Sequence, residues 1–209
     1  MADTPRTYTP AEAAALSELA VKSVHNAIDK RIIEAHFGRE GRELTDEDLL
    51  RLKLWYGVGS ILSAERRKRL FDTIDQNPDA DTVRADDYLI VDVARAREQL
   101  AARAEALREA EQKIDSVKGV AGGEPVFKGT RVPVRMIAAM KQQGASSAEI
   151  VDGYPSVPAR MVELAEIWTA AHPARGRPKK LSDQGLRVKS VKRLPLSKAG
   201  SRKASGTAS

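Results

Sequence analysis

The sequence predicts a mainly α-helical protein, and three observations carry that prediction. Apolar residues recur at helical spacing along most of the first 172 positions. Three Ser/Thr-x-x-Glu/Asp starts (Thr9/Glu12, Thr45/Asp48, Ser146/Glu149) stand ahead of such stretches. One short run, Tyr88-Leu89-Ile90-Val91, is the most β-like. The expected architecture is an N-terminal helix-turn-helix with a candidate wing, a connector helix, a small C-terminal three-helix, homeodomain-like unit with a β-hairpin, and a disordered basic tail. The corresponding segments are residues 1–80, 81–118, 119–172 and 173–209.

The elements follow in order. Thr9 caps a first helix with Pro10 in its first turn, where a missing N–H costs nothing. That short Ala-rich helix stops near Ser17, and a second, to about Ile33, carries Val21, Val24, Ala27 and Ile28 inward. His36 to Glu43, with Gly38 and Gly41, is the candidate wing. Two helices are expected between Thr45 and Gln76, the second opened by Ser63, and a strand over Thr82 to Val93. A long Ala/Glu/Arg-rich helix spans Ala94 to about Val117, with Leu100, Leu107 and Ile114 seven residues apart. So narrow a strip suits either a dimer seam or packing within its own domain. Arg103 breaks the second line of that strip. Beyond Gly119, Lys128-Gly129-Thr130-Arg131 turns between Pro125–Phe127 and Val132–Val134. Three short helices follow: one ended by Gly144, one stopping at Gly153-Tyr154-Pro155, and one with Met161, Leu164, Ala165 and Trp168 as its apolar stripe.

Composition narrows the function. With 42% hydrophobic and 4% aromatic residues among 209, the chain builds aliphatic, Ala-rich cores. The absence of cysteine excludes a disulfide scaffold, a thiolate zinc site and a cysteine nucleophile. No apolar run approaches the roughly 18 to 20 residues of a membrane span, and the start lacks a basic, then apolar, leader pattern. A cytoplasmic protein without a membrane partner is expected. The net charge of +6 is unevenly placed. Pro173 to Ser209 holds eleven Lys or Arg and one acid, a net of +10, which leaves Met1 to His172 at −4. Such a tail binds polyanions or acidic protein surfaces, or serves only solubility.

Little in the chain points to catalysis. His25, His36 and His172 share no ligand spacing, and there is no phosphate-binding glycine loop or nucleophile elbow. Asp86, Asp87 and Asp92 read as a solvated rim rather than a metal site. No catalytic residue, metal or cofactor is expected. On the second helix, Lys22, Ser23, His25 and Asn26 fall on or beside the outer face. Lys22 and Ser23 are types that meet phosphates, His25 and Asn26 types that meet base edges, when a helix enters a major groove. Any amphipathic helix pair also has a polar outer face. In the tail, Arg175, Arg177, Lys179 and Lys180 surround Gly176 and Pro178 in the manner of an AT-hook, an extended Arg-Gly-Arg for a narrow minor groove. The same arginines fit an acidic cleft on a protein, where forked pairing with carboxylates holds them.

The stretch Gly123-Glu124-Pro125-Val126-Phe127-Lys128-Gly129-Thr130-Arg131-Val132-Pro133-Val134 adds a resemblance. With Gln143-Gly144-Ala145-Ser146, Glu149-Ile150, Tyr154-Pro155 and the segment His172 to Pro178, it resembles the bacterial family called domain of unknown function 433. That family includes VapB-like antitoxins of type II toxin–antitoxin pairs. The order of a MerR-like helix-turn-helix, this domain and a Gly-Arg-Pro tail is similar to such antitoxins. The resemblance implies a partner, a PIN-like ribonuclease toxin, and repression of a shared operon through operator DNA. Positions 181–209 match nothing in that pattern. Gly123, Pro125, Gly129, Thr130, Arg131, Pro133, Tyr154 and Pro155 are expected to act as a fold signature, with Arg131 pairing an acid such as Glu124 or Asp152. A direct toxin contact at this segment is the other reading. The expected protein is a homodimeric DNA-binding antitoxin. The alternatives are a stand-alone MerR-like transcriptional regulator without a toxin and, from another class, an enzyme or nuclease subunit.

Overall fold

The computed structural model of the chain describes residues 6–38, 41–117 and 120–174. It is mainly helical, and local capping chemistry explains where several helices begin. In α1 (Pro10–Ser17) the Thr9 hydroxyl accepts from the Glu12 N–H, while the Glu12 carboxylate accepts from the Thr9 N–H. The same reciprocal box opens α3 (Asp46–Gly57) through Thr45 and Asp48, and α7 (Ser147–Gly153) through Ser146 and Glu149. Ser63 caps α4 (Ala64–Gln76) and Asp92 caps α5 (Val93–Lys113), each accepting a single N–H. Each box satisfies donors that a helix N-terminus otherwise leaves open.

Between α1 and α3 lie α2 (Val21–Asp29) and a hairpin of β1 (His36–Gly38) and β2 (Gly41–Glu43). The second helix is shorter than its apolar pattern suggests, because Arg31 takes a left-handed φ of 54° and the Ile32 N–H turns back to the Ala27 carbonyl. Tyr8 and Leu44 exchange two backbone hydrogen bonds of 2.9 and 2.8 Å, closing the base of this hairpin onto the strand entering α1.

The expected strand over Thr82 to Val93 is instead a hairpin of β3 (Thr82–Arg84) and β4 (Ile90–Asp92). One Asp86 carboxylate oxygen accepts from the N–H groups of both Tyr88 and Leu89, which bends the chain at the centre of the β-like run. Val83 and Val91 face the core, leaving Tyr88 98% exposed at the turn.

The strip on α5 is also corrected. Leu100 and Leu107 are buried within the chain, and Ile114 is not helical but begins β5 (Ile114–Asp115), buried as well. Helices α1, α3 and α8 (Ala159–Ala171) cover α5, so the strip is core and does not form a dimer seam. The physical reason is that an Ala-rich helix lets several neighbours approach its one apolar face.

The second hairpin is rearranged too. Phe127 donates to Val132 and Val126 bridges Pro133 as expected, but β6 (Val126–Phe127) pairs along its length with β5, Ile114 opposite Phe127. Helices α6 (Val134–Gln142), α7 and α8 then pack around Phe127, Ile137, Ile150, Val162 and Leu164. Because α8 also lies against α1, the segments divided at residues 80 and 118 in the sequence pack as one compact unit up to Pro173.

Candidate nucleic-acid interface

The α1–α2 pair is held from beneath by apolar contacts and at its turn by charge. Val24 and Ala27 of α2 are fully buried, with Val21 and Ile28 partly so. The turn residue Glu18 has a left-handed φ of 61°, and its two carboxylate oxygens meet Lys53 and Arg103, each at 3.2 Å. From α3, the Tyr56 hydroxyl donates to the Ser23 carbonyl at 2.9 Å.

This packing leaves Lys22, His25 and Asn26 exposed on the outer face of α2. Ser23 is half-buried, with its carbonyl already engaged, so it lies at the margin of that face. The sequence missed what extends the surface. Asp29, at the end of α2, meets Arg42 of β2 at 3.6 Å, which ties the hairpin alongside the helix. Lys30 and Arg31 are exposed beyond the helix end and make no ion pair among the described residues. Phe37, on β1, is 85% exposed. A Gly-flanked aromatic in a charge-rich hairpin was the available signal, but the alternation that would orient it is too short to read.

The fold-signature residues form a different, architectural cluster. Gly129 has a φ of 79°, and the neighbouring Thr130 hydroxyl donates to the Phe127 carbonyl at 2.9 Å and accepts from the Val132 N–H at 3.1 Å. Pro125 accepts from the Val134 N–H through its carbonyl, and Pro133 is the N-cap of α6. Gly123 sits at φ 84° in a short 3-10 turn, Ala121–Gly123. Tyr154 ends α7, accepts from the Val157 N–H, and lays its hydroxyl against the Met136 sulfur; Pro155 continues that turn. Arg131 departs from expectation: it is exposed and pairs with neither Glu124 nor Asp152 among the described residues. The turn is fixed by Gly129 and Thr130 through main-chain bonds, so it needs no ion pair. Arg175, Arg177, Lys179 and Lys180 lie outside the described residues.

Two other features resolve into structure. Glu12, Glu111 and His172 come together, but Arg6 sits 2.8 Å from Glu111 and 3.6 Å from Glu12, and His172 stacks on Trp168. A guanidinium thereby already engages both carboxylates. A cleft of about 850 Å³ between α3, α4 and α5 has charged groups on its rim, of which Arg51 pairs with Asp75 and Arg97 donates to the carbonyls of Pro78 and Ala80. Asp86 meets Arg66 at 3.2 Å and Asp92 caps α5, so neither is free for a metal.

Comparison with known proteins agrees with the architectural cluster. Residues 114–166 match the family described as "Protein of unknown function (DUF433)". The chain is 26% identical over 186 residues, 82% of its length and 84% of the other, to a protein of Sinorhizobium fredii (strain NBRC 101917 / NGR234) described as "Uncharacterized protein y4eO". No solved structure matches the chain. No helix among the described residues is long and apolar enough to cross a membrane.

Proposed function

We propose that this chain is a DNA-binding antitoxin: α2 reads operator DNA, and the basic segment around Arg175, Arg177, Lys179 and Lys180 neutralises a PIN-like ribonuclease toxin. The observation that carries the DNA half is the exposed Lys22, His25 and Asn26 face of a buried-backed α2, with a hairpin tied beside it. Lys22 contributes phosphate attraction and register, while the Asn26 amide can donate to and accept from one adenine edge, and His25 supplies a further polar contact. Ser23, at the margin, supports a phosphate contact rather than base reading.

The toxin half is supported by the resemblance of residues 123–178 and by charge. A body of net −4 repels a carboxylate-rich active site, whereas a tail of net +10 is drawn to it. Two guanidinium forks satisfy several carboxylates and occupy the position of the Mg²⁺ charge that the toxin's chemistry requires. A homodimer reading two half-sites would join through a surface other than the α5 strip.

One experiment with two arms tests this reading. The full chain is used to select duplexes from a random-sequence pool, and is co-expressed with the product of its neighbouring reading frame. Enrichment of one duplex sequence supports the DNA half, and uniform, purely salt-dependent binding overturns it. Arg175 and Arg177 replaced together by Ala should release RNA cleavage in the co-purified complex. A doubly substituted chain that still silences the nuclease overturns the active-site assignment, and if it instead loses A·T-rich duplexes the AT-hook reading takes its place.

A further inference from the structure

Phe37 is an aromatic ring standing in water on the hairpin beside α2, whose end is followed by Lys30 and Arg31. It is 85% exposed on β1, with Arg42 as its cross-strand partner, and the Arg42 guanidinium fixes the hairpin to Asp29 at the last residue of α2. Among the described residues of 21–43, Lys22, Lys30, Arg31 and Arg42 against Asp29, Glu34 and Glu43 leave a net charge of +1, with two of the unpaired cations together at the end of α2. Lys22, Lys30 and Arg31 are exposed without an acid partner among the described residues, while Asp29 is engaged by Arg42 and Glu43 accepts from the Thr7 hydroxyl but keeps its charge. Among the described residues of this stretch, Glu34 and Glu43 have no cationic partner. A polyanion suits the cations, and the ring selects a polyanion with apolar surface of its own. In duplex DNA that surface is the faces of the base pairs and the walls of the minor groove.

Geometry indicates which surface the ring meets. An α-helix with its side chains is about 10 to 12 Å across, which fits a major groove about 12 Å wide, and the nine residues of α2 run about 13 Å along it. A hairpin fastened to the end of that helix then crosses the flanking phosphate strand toward the next minor groove. Resting on the DNA-reading role of α2, we infer that Phe37 is an apolar wedge that enters this minor groove, unstacks one base step and bends the duplex. Unstacking is least costly at pyrimidine–purine steps, so the ligand class is a duplex with a flexible TA or CA step one groove away from the bases under α2. Phe37 therefore adds sequence preference at a position that α2 does not touch.

The test uses the full chain and the duplex selected from the random pool, end-labelled with a donor–acceptor pair and carrying 2-aminopurine at each flanking step in turn. Wild type should shorten the end-to-end distance and raise 2-aminopurine emission at one step. Phe37→Ala, at an exposed position, should keep its helical signal and thermal midpoint, lose both DNA signals, and bind about tenfold more weakly. Phe37→Leu should retain most of the bend, because the wedge needs bulk rather than aromaticity. Equal bending and unstacking by wild type and Phe37→Ala overturns the wedge alone, as does a loss confined to binding of a protein partner. If no duplex is enriched and Lys22→Ala binds every duplex as wild type does, the α2 reading fails and the wedge falls with it.

Discussion

The guanidinium of Arg103 hydrogen-bonds the main-chain carbonyl of Ala15, 88 residues earlier, through Nε at 3.1 Å and Nη2 at 2.7 Å. It thereby satisfies one of the carbonyls that the C-terminus of α1 leaves open, at the turn between α1 and α2. The residue that interrupts the heptad line on α5 is therefore a cap for α1.

Arg103→Ala should lower unfolding stability by about 1 to 2 kcal/mol, toward the lower end for charge-assisted bonds because the side chain is partly exposed. Arg103→Lys should recover a minority of the loss, since an ammonium cannot fork onto one carbonyl and Glu18 in the same way. Urea denaturation of the three proteins measures both. A lysine variant as stable as wild type would show that charge, not the fork, holds the turn.

Leu107 is fully buried against neighbours of its own chain. Leu107→Ala should cost about 2 to 5 kcal/mol, the usual range for a cavity at a leucine. Sedimentation at fixed concentration should give the same oligomeric state for wild type and variant. Dissociation without a fall in stability would return the strip to an interface.

What was legible in the sequence was local. The boxes at Thr9/Glu12, Thr45/Asp48 and Ser146/Glu149 depend on residues three apart, and Gly129 and Gly144 announce positive φ by being glycine. The outer face of α2 was legible because Val24 and Ala27 mark its inner one. Periodicity on α5 showed that one face is apolar but carries no information about which element covers it. The Arg103–Ala15 and Arg42–Asp29 ties depend on which acceptors folding brings within reach, and no spacing rule encodes that, whereas the Asp86 turn is local and was missed because the β-like run after it was read as one strand.

Gly129→Ala should destabilise by about 1 to 2 kcal/mol. A Cβ at φ 79° is strained although no atom lies within 4 Å of its ideal position. Thr130→Val removes the hydroxyl that both donates to Phe127 and accepts from Val132, and should cost a similar amount. Thermal melts of each variant check this, and a neutral Gly129→Ala would show that the turn relaxes to negative φ.

Tyr8 links the base of the wing to α1, and its phenol is pushed up from 10.0 to about 12, first by burial and then by the nearby Asp46 carboxylate. A pKa raised on folding means that this contribution is complete below pH 10.0 and disappears as pH rises toward about 12. Stability should therefore fall across that window, and Tyr8→Phe should flatten this limb. Denaturation midpoints at stepped pH, with phenolate absorbance followed in parallel, provide the check.

Asn26, Lys22 and Asp29 separate base reading from simple attraction. Asn26→Ala should lose about 1 to 3 kcal/mol on the selected duplex and little on others, relaxing preference at one base pair. Lys22→Ala should weaken all duplexes alike and reduce the salt slope by about one. Asp29→Asn removes a negative charge from the proposed DNA-facing surface, so attraction alone predicts tighter binding. It also releases Arg42, and with it the hairpin, so a positioned wing predicts the opposite on the selected sequence. The expected result is tighter binding to random DNA together with a narrower gap between selected and random sequences. Uniform tightening with the gap unchanged would mean that the Asp29–Arg42 tie has no part in recognition.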